Sequence, residues 1–158
     1  MKLLISQKTL DRWKIKLLDA KQKEIGGVLF GEHVGDAEFR LVDFTLQRRR
    51  GREVSFRRKG REAGKSLKRL SKQHGNDHAR FNYLGEWHSH PNAPAVPSRI
   101  DCETMQSLRR DKETDANFLV LIVVRVGGLG TLEVSATTFL ASGHIVECNV
   151  RVENDSEV

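Results

Sequence analysis

Two histidines followed by a carboxylate are the feature of this sequence that most clearly indicates chemistry. His88 and His90 are two residues apart, and ten residues separate His90 from Asp101. On a β-strand, side chains two positions apart project from one face, so both imidazoles can approach one ion. Pro91 would end that strand and let the chain turn, so that Asp101 returns as a third ligand. Two imidazole nitrogens and one carboxylate oxygen form a catalytic type of zinc site, whose fourth position holds water.

Such a site also needs an acid/base group that does not bind the metal. Zinc lowers the pKa of bound water towards ~7, and a carboxylate must take its proton and later deliver it to the leaving amine. Glu24 is the predicted acid/base, because it lies two residues before the Gly26-Gly27 pair, whereas Glu32 lies farther along the same segment. Ser98 is predicted to donate its hydroxyl to the oxyanion of the tetrahedral intermediate. A helix N-cap is the other role that suits Ser98, and the two roles are compatible.

Apolar patterns predict six strands that would position these residues. One of them leads directly into His88, and the apolar run FLVLIVVRV is expected to be the most deeply buried. Gly26 and Gly27 indicate a close approach of two backbones. The predicted strands cover residues 24–31, 38–46, 81–87, 118–126, 131–140 and 144–152.

Helical spacing of apolar residues predicts three helices. The first covers 9–20, with Thr9 as its N-cap and with Leu10, Trp13, Leu17 and Leu18 directed inward. The second covers 57–74, and the third runs from Ser98, as its N-cap, to about Arg110. Strands and helices mix along the chain, which predicts an α+β (mixed αβα) fold with a central mixed sheet flanked by helices. We expect a single domain over residues 1–158.

Positive charge is concentrated in the second predicted helix and in the segment before it. The formal net charge is +6, and arginines and lysines cluster over residues 48–72. A solvated basic face above an apolar stripe of Ala63, Leu67 and Leu70 explains this pattern, and a docking surface for an acidic partner is the functional alternative. No aromatic residues interleave with the charges of residues 57–72, so specific binding of nucleic acid is not expected.

The remaining composition indicates a cytoplasmic globular protein. No apolar run approaches the ~20 residues that cross a bilayer, and the N-terminal MKLLIS is too short for a signal-peptide core. We therefore expect no membrane association. Cys102 and Cys148 stand far apart without a CxxC pair, which is typical of reduced thiols and does not indicate a cysteine zinc site.

The order and spacing of these residues resembles a known motif. Glu24, the segment HSHP that contains His88 and His90, and then Ser98 and Asp101 are similar to the pattern E…HxHP…SxxD of the JAMM (JAB/MPN) zinc metallopeptidases. The chain looks most like the small stand-alone bacterial JAB peptidases of antiphage operons that encode ubiquitin-like conjugation enzymes. The resemblance implies the MPN fold, which is related to cytidine deaminases, and Zn²⁺ as the cofactor.

The resemblance also implies an activity, namely zinc-dependent cleavage after the C-terminal glycine of a ubiquitin-like protein. The implied partners are that protein or its conjugate and the E1- and E2-type enzymes of the same operon, with a role in antiviral defence. Both deconjugation and precursor processing fit this chemistry. The alternative is a non-catalytic basic binding or scaffold domain for nucleic acid or an acidic protein. A deaminase would need HxE and PCxxC, where this chain has His90 and an isolated Cys102.

Overall fold

The computed structural model describes residues 1–48, 56–112, 114 and 116–154, with the backbone alone over 47–48 and 56–63. These residues form nine strands and three α-helices. The strands are β1 (Lys2–Ser6), β2 (Ile25–Gly35), β3 (Glu38–Phe44), β4 (Gln47–Arg48), β5 (Phe81–Ser89), β6 (Phe118–Val126), β7 (Leu132–Leu140), β8 (Ile145–Glu147) and β9 (Asn149–Glu153). The helices are α1 (Gln7–Ala20), α2 (Phe56–Gln73) and α3 (Arg99–Arg110). None of these three helices has the length and apolar character needed to cross a membrane.

All of these strands join in one mixed sheet. Its order is β8-β7-β6-β5-β2-β3-β1-β9, and β4 pairs with the first residues of β2. β1 runs parallel to β3 and β9, and β5 runs parallel to β6, whereas the other pairs are antiparallel. The prediction of a central mixed sheet flanked by helices is therefore confirmed.

The end of the described chain nearly closes this sheet into a barrel. β8 extends the edge at β7, whereas β9 extends the opposite edge at β1, and only Cys148 separates them. The Cys148 N–H donates to the Ala136 carbonyl at 2.8 Å, and the Asn149 N–H donates to the Met1 carbonyl at 3.0 Å. The single strand predicted over 144–152 is wrong, because the chain passes from one edge of the sheet to the other at Cys148.

Apolar cores lie on the two faces of the sheet. On one face α1 buries Trp13 and Leu17, and on the other α3 buries Met105 and Leu108. β6 contributes to both cores and is buried on both faces, as its continuous apolar run predicted. Its residues facing α1 are Val120, Ile122 and Val124, and those facing α3 are Leu119, Leu121 and Val123.

The first helix begins earlier than predicted. Its N-cap is Ser6, whose hydroxyl accepts a hydrogen bond from the Thr9 N–H at 3.2 Å, so the prediction of Thr9 as N-cap is wrong. Leu18 was expected to face inward but is 57% exposed, because the buried stripe of the helix runs through Trp13 and Leu17.

The second helix has the predicted position, but its predicted apolar stripe is confirmed only in part. Leu70 is buried and Leu67 half-buried, whereas the side chain of Ala63 lies outside the described residues. Three of the clustered arginines also lie outside them, namely Arg49, Arg50 and Arg52. The α2 backbone nevertheless shows the helix expected from the sequence.

An aromatic cluster joins α1 to β3 and to β5, the strand that carries His88. The Trp13 ring stacks on Phe44 at 5.2 Å between centroids and lies 5.7 Å from Trp87.

We expect Trp13→Ala to lower the free energy of unfolding by about 3–5 kcal/mol, because it leaves a large cavity in the core on the α1 face of the sheet. Urea unfolding measures the change. Ile15→Ala, on the exposed side of α1, should change stability by at most about 0.5 kcal/mol, and equal losses in both variants would contradict this account of the core.

Candidate metal centre

Three potential metal ligands converge at the carboxyl end of β5. The Nε2 atoms of His88 and His90 are 3.0 Å apart. Asp101 Oδ1 lies 3.4 Å from His88 Nε2, and Asp101 Oδ2 lies 3.5 Å from His90 Nε2. Ligand atoms bound tetrahedrally at ~2.0–2.1 Å from an ion are about 3.3 Å from one another. These three side chains could therefore hold a metal ion with little rearrangement.

Backbone contacts fix the orientation of His90. Its N–H donates to the Val124 carbonyl at 2.9 Å, which anchors the residue beside β6. Its ring Nδ1 lies 2.9 Å from the Pro94 carbonyl, which can only accept a hydrogen bond. Nδ1 must therefore carry the proton, and Nε2 is left with the lone pair that a metal needs. Arg125 supports this loop by donating to the Ala93 carbonyl at 3.2 Å.

The third ligand is held in the first turn of α3 by a reciprocal cap. The Ser98 N–H donates to Asp101 Oδ2 at 2.8 Å, and the Asp101 N–H donates to the Ser98 hydroxyl at 3.2 Å. The prediction of Ser98 as N-cap is confirmed. Burial would raise the pKa of Asp101, but the hydrogen bond and charge of His88 and the hydrogen bonds from Ser98 lower this pKa well below its usual range. Asp101 is therefore a carboxylate at neutral pH, the form that binds metal.

The predicted acid/base, Glu24, lies immediately before β2 and is exposed. In the antiparallel pairing of β2 with β5, Gly26 is opposite His88. Continued by two residues, this register would bring Glu24 opposite His90, on the face that carries the histidines. The contacts that the structure shows at the centre join His88, His90, Asp101 and Ser98. The position of Glu24 beside them stays a prediction.

Glu32, the other carboxylate of this segment, lies at the opposite end of the β2–β5 pair. It is opposite Phe81 and is buried. Burial would raise the pKa of Glu32, but hydrogen bonds and charges from Arg40 and Arg80 lower it overall. Glu32 serves this ion network, at 2.7 Å from Arg40 and 2.8 Å from Arg80, rather than the metal centre.

The two glycines after Glu24 allow the close packing that their sequence predicted. A Cβ at Gly26 would lie 2.5 Å from the Trp87 carbonyl oxygen and 3.0 Å from the His88 Cβ. A Cβ at Gly27 would lie 2.0 Å from the Thr45 carbonyl oxygen. Gly26 therefore makes space for His88, and any larger residue would push β2 away from the ligand strand.

Ser89 is a contributor that the sequence analysis did not identify. It lies between the two histidines, is 2% exposed, and its hydroxyl accepts a hydrogen bond from the Ile25 N–H at 3.0 Å. This bond attaches the first residue of β2, and so the neighbouring Glu24, to the ligand strand. The signal that could have identified it is its position two residues after Trp87, on the face of the strand that carries this apolar side chain.

We expect Ser89→Ala to lower the free energy of unfolding by about 1–3 kcal/mol, because it removes the acceptor of the buried Ile25 N–H. Urea unfolding of the purified chain measures this loss. Ser107→Ala, at an exposed position of α3, is the matched control and should change stability by at most about 0.5 kcal/mol. An unchanged stability in Ser89→Ala would show that this bond does not hold the start of β2.

Two solved structures share the overall fold. A protein of Desulfitobacterium hafniense, known from its solution structure, aligns with a TM-score of 0.69 and 17% identity over 98% of this chain and 95% of its own. A protein of Salinibacter ruber aligns with a TM-score of 0.56 and 19% identity over 100% of this chain and 94% of its own. At such identities the likeness shows the fold alone.

Sequence comparison shows the family. Residues 6–137, which include both histidines, Asp101 and Ser98, match the prokaryotic homologues of the JAB domain. A protein of Enterobacter hormaechei named CD-NTase/cGAS isopeptidase is 25% identical over 139 residues, which are 85% of this chain and 73% of that protein. With the family match covering most of the chain and the expected ligands converging at the end of β5, this protein belongs to the prokaryotic JAB-domain family.

Proposed function

We propose that this chain is a JAMM-type zinc isopeptidase with the MPN fold, which cleaves after the C-terminal glycine of a ubiquitin-like protein. The observation that carries the proposal is the convergence of the Nε2 atoms of His88 and His90 with the Asp101 carboxylate, at separations of 3.0–3.5 Å. The relative named as an isopeptidase supports the choice of bond. Family membership supports a hydrolase.

The donor set supports zinc as the metal. Zinc is commonly bound by imidazole nitrogen and carboxylate oxygen, and three protein ligands leave one position open, as in catalytic zinc sites. The two cysteines are absent from the group, and burial raises the pKa of both thiols, which disfavours a thiolate mechanism. A zinc ion at this position would supply Lewis acidity that polarises a carbonyl group and makes water nucleophilic at neutral pH.

Glu24 is the proposed acid/base of the reaction. Two observations support this role: the β2–β5 register, continued by two residues beyond the Gly26–His88 pair, would bring Glu24 opposite His90, and the bond between Ser89 and Ile25 holds the start of β2. Its carboxylate would accept a proton from the attacking water and deliver it to the lysine amine as the isopeptide bond breaks.

Ser98 is the proposed donor to the oxyanion. A hydroxyl has one donor and two acceptor sites, so capping α3 through the Asp101 N–H leaves its proton available for another bond. The Ser98 side chain also lowers the pKa of Asp101 by hydrogen bonding. Donation to a substrate therefore requires the hydroxyl to rotate away from Asp101 as negative charge develops on the carbonyl oxygen.

The surface beside Ser98 suits the tail of a protein substrate. Val96 is 54% exposed and Ile100 is 66% exposed, and both flank Ser98 along the chain. Apolar residues at such positions can pack against an extended peptide that leads its terminal carbonyl to the ligands.

The proposed partners are a ubiquitin-like protein or its conjugate and E1- and E2-type enzymes. The proposed location is the cytoplasm, and the proposed role is antiviral defence. A non-catalytic basic binding or scaffold domain is less well supported, because it gives no reason for the ligands to converge.

A substrate trap tests the proposal. We expect Glu24→Gln to keep its metal but to slow turnover by about 10²–10⁴-fold, because general acid–base catalysis contributes on that scale. Expressed in the source organism, this variant should co-purify with a small protein whose terminal glycine is joined to a lysine, identified by mass spectrometry.

The matched control for the trap is His88→Ala, which removes one ligand. It should lose bound zinc, measured by elemental analysis of the purified protein, and should not retain the conjugate. Recovery of nothing beyond this control in Glu24→Gln would contradict a role in cleaving conjugates.

Inhibitors separate the metal mechanism from a thiol mechanism. We expect a chelator to abolish cleavage of the trapped conjugate by the wild-type chain, and added Zn²⁺ to restore it, because the ligands are two imidazoles and a carboxylate. A thiol-blocking reagent should leave the rate largely unchanged, since neither cysteine belongs to the site. Cleavage that survives the chelator but not the thiol reagent would overturn the proposed mechanism.

A further inference from the structure

A cavity of about 490 Å³ lies between α2 and the sheet, far from the metal centre. Its floor is formed by Phe30 of β2 and Tyr83 of β5, which are opposite one another in the antiparallel register. His88 is five residues farther along β5, which corresponds to about 16 Å of strand. We call this cavity, bounded by α2, Phe30 and Tyr83, the α2 cleft.

The wall that α2 contributes does not have the composition of a packed helix. A helix resting on a sheet normally places large apolar side chains on its inner stripe. In α2 the residues lining the cleft are small or polar, apart from one leucine. They are Gly64, Leu67, Lys68, Ser71 and Lys72, at the spacing of a single helical stripe.

Gly64 keeps this wall open. A Cβ at this position would meet no atom of the described part of the chain within 4 Å, so no close contact there requires a glycine. Glycine in the middle of a helix costs about 1 kcal/mol relative to alanine. Gly64 therefore leaves space on this side of α2 at a cost in helix stability.

Polar groups converge inside the cleft. Ser71 is 7% exposed, and its hydroxyl lies 3.3 Å from His78 Nδ1 and 3.4 Å from Asn76 Oδ1. A neighbouring cavity of about 330 Å³ shares His78, Asn82 and Tyr83 with the α2 cleft. Each cavity has the size of a small-molecule site, with an aromatic floor and a few polar side chains.

The charge of the α2 cleft favours an anion. Lys68 and Lys72 are exposed at its rim, and no aspartate or glutamate is among the described residues that line either cavity. Arg80 borders the neighbouring cavity, but its charge is balanced by Glu32, at 2.8 Å. The positive charge available to a ligand therefore comes from the two lysines of α2, which suit a phosphate group.

We propose that the α2 cleft binds a small phosphate-bearing aromatic molecule of mononucleotide size. Its ring packs against the partly exposed Leu67 and Tyr83, above the buried Phe30, and its phosphate lies between Lys68 and Lys72. An acidic peptide would complement the lysines, but it would not fill a concave pocket with an aromatic floor. The cleft is separate from the metal centre, so this ligand is neither the substrate nor a cofactor of the proposed peptidase.

Calorimetric titration of the full chain in the presence of a chelator tests this proposal. The probes are adenosine monophosphate, adenosine and inorganic phosphate. We expect adenosine monophosphate to bind at one site with a Kd below about 1 mM, and at least about tenfold more tightly than either fragment. Replacing both lysines, Lys68→Gln with Lys72→Gln, should weaken its binding by about tenfold or more and leave adenosine binding unchanged.

Two further variants test the location. Gly64→Leu fills the cleft while raising helix propensity, so it should abolish binding without lowering the midpoint of thermal unfolding. Lys65→Gln combined with Arg69→Gln removes the same charge from exposed positions outside the cleft and should leave binding unchanged.

Three outcomes would overturn the proposal. They are no binding of adenosine monophosphate up to about 10 mM, equal weakening by the outer pair of substitutions, and tighter binding of a heptaglutamate peptide than of the nucleotide. The last two would identify the basic face of α2 as a general surface for polyanions or acidic chains.

Discussion

The antiparallel pairing of β2 with β5 is the constraint on which the rest of the structure depends. At one end it sets Gly26 against His88, and the same register continued by two residues would bring Glu24 to the side of His90. At the other end the same pairing sets Phe30 against Tyr83, and so forms the floor of the α2 cleft. The pairing tolerates no side chain at Gly26, and Ser89 secures its first residue through the Ile25 N–H. A shift of one residue would turn Glu24 to the wrong face of the sheet.

The parts of the site that depend on short spacing could be predicted from the sequence. The two histidines share a face because strand side chains alternate. Ser98 could be predicted to cap α3 because an N-cap involves only residues of the first helical turn. The family resemblance added the distant Glu24, whose proposed place beside the ligands would depend on the pairing of β2 with a strand about sixty residues away. Ser89 was missed, since its role exists only once β2 lies beside β5.

Two errors in the predicted fold, the missed β1 and the undivided final strand, have a common physical origin. β1 is a strand of five residues with a short apolar centre, and its identity as a strand depends on pairing with β3 and β9. The predicted final strand is divided at Cys148 because the two edges of the curved sheet meet there. Both features are set by closure of the sheet, which hydrophobic periodicity within a single segment does not encode. The open wall of α2 is a similar case, because the sequence shows its composition but not the space beneath it.

The contacts around the three potential metal ligands also bear on how much a bound metal would contribute to the stability of the fold. His90 is held by the Val124 and Pro94 carbonyls, and Asp101 is held by the cap at Ser98. The strand that carries His88 is fixed by the packing of Trp87 and by its pairing with β2 and β6. The protein's own groups make these contacts, whereas in small zinc domains the metal supplies much of the folding free energy. A zinc ion that bound only the folded chain, as the proposed function requires, would add to its stability by linkage. Three protein ligands would leave that ion one open position, which is the arrangement that a hydrolytic site requires.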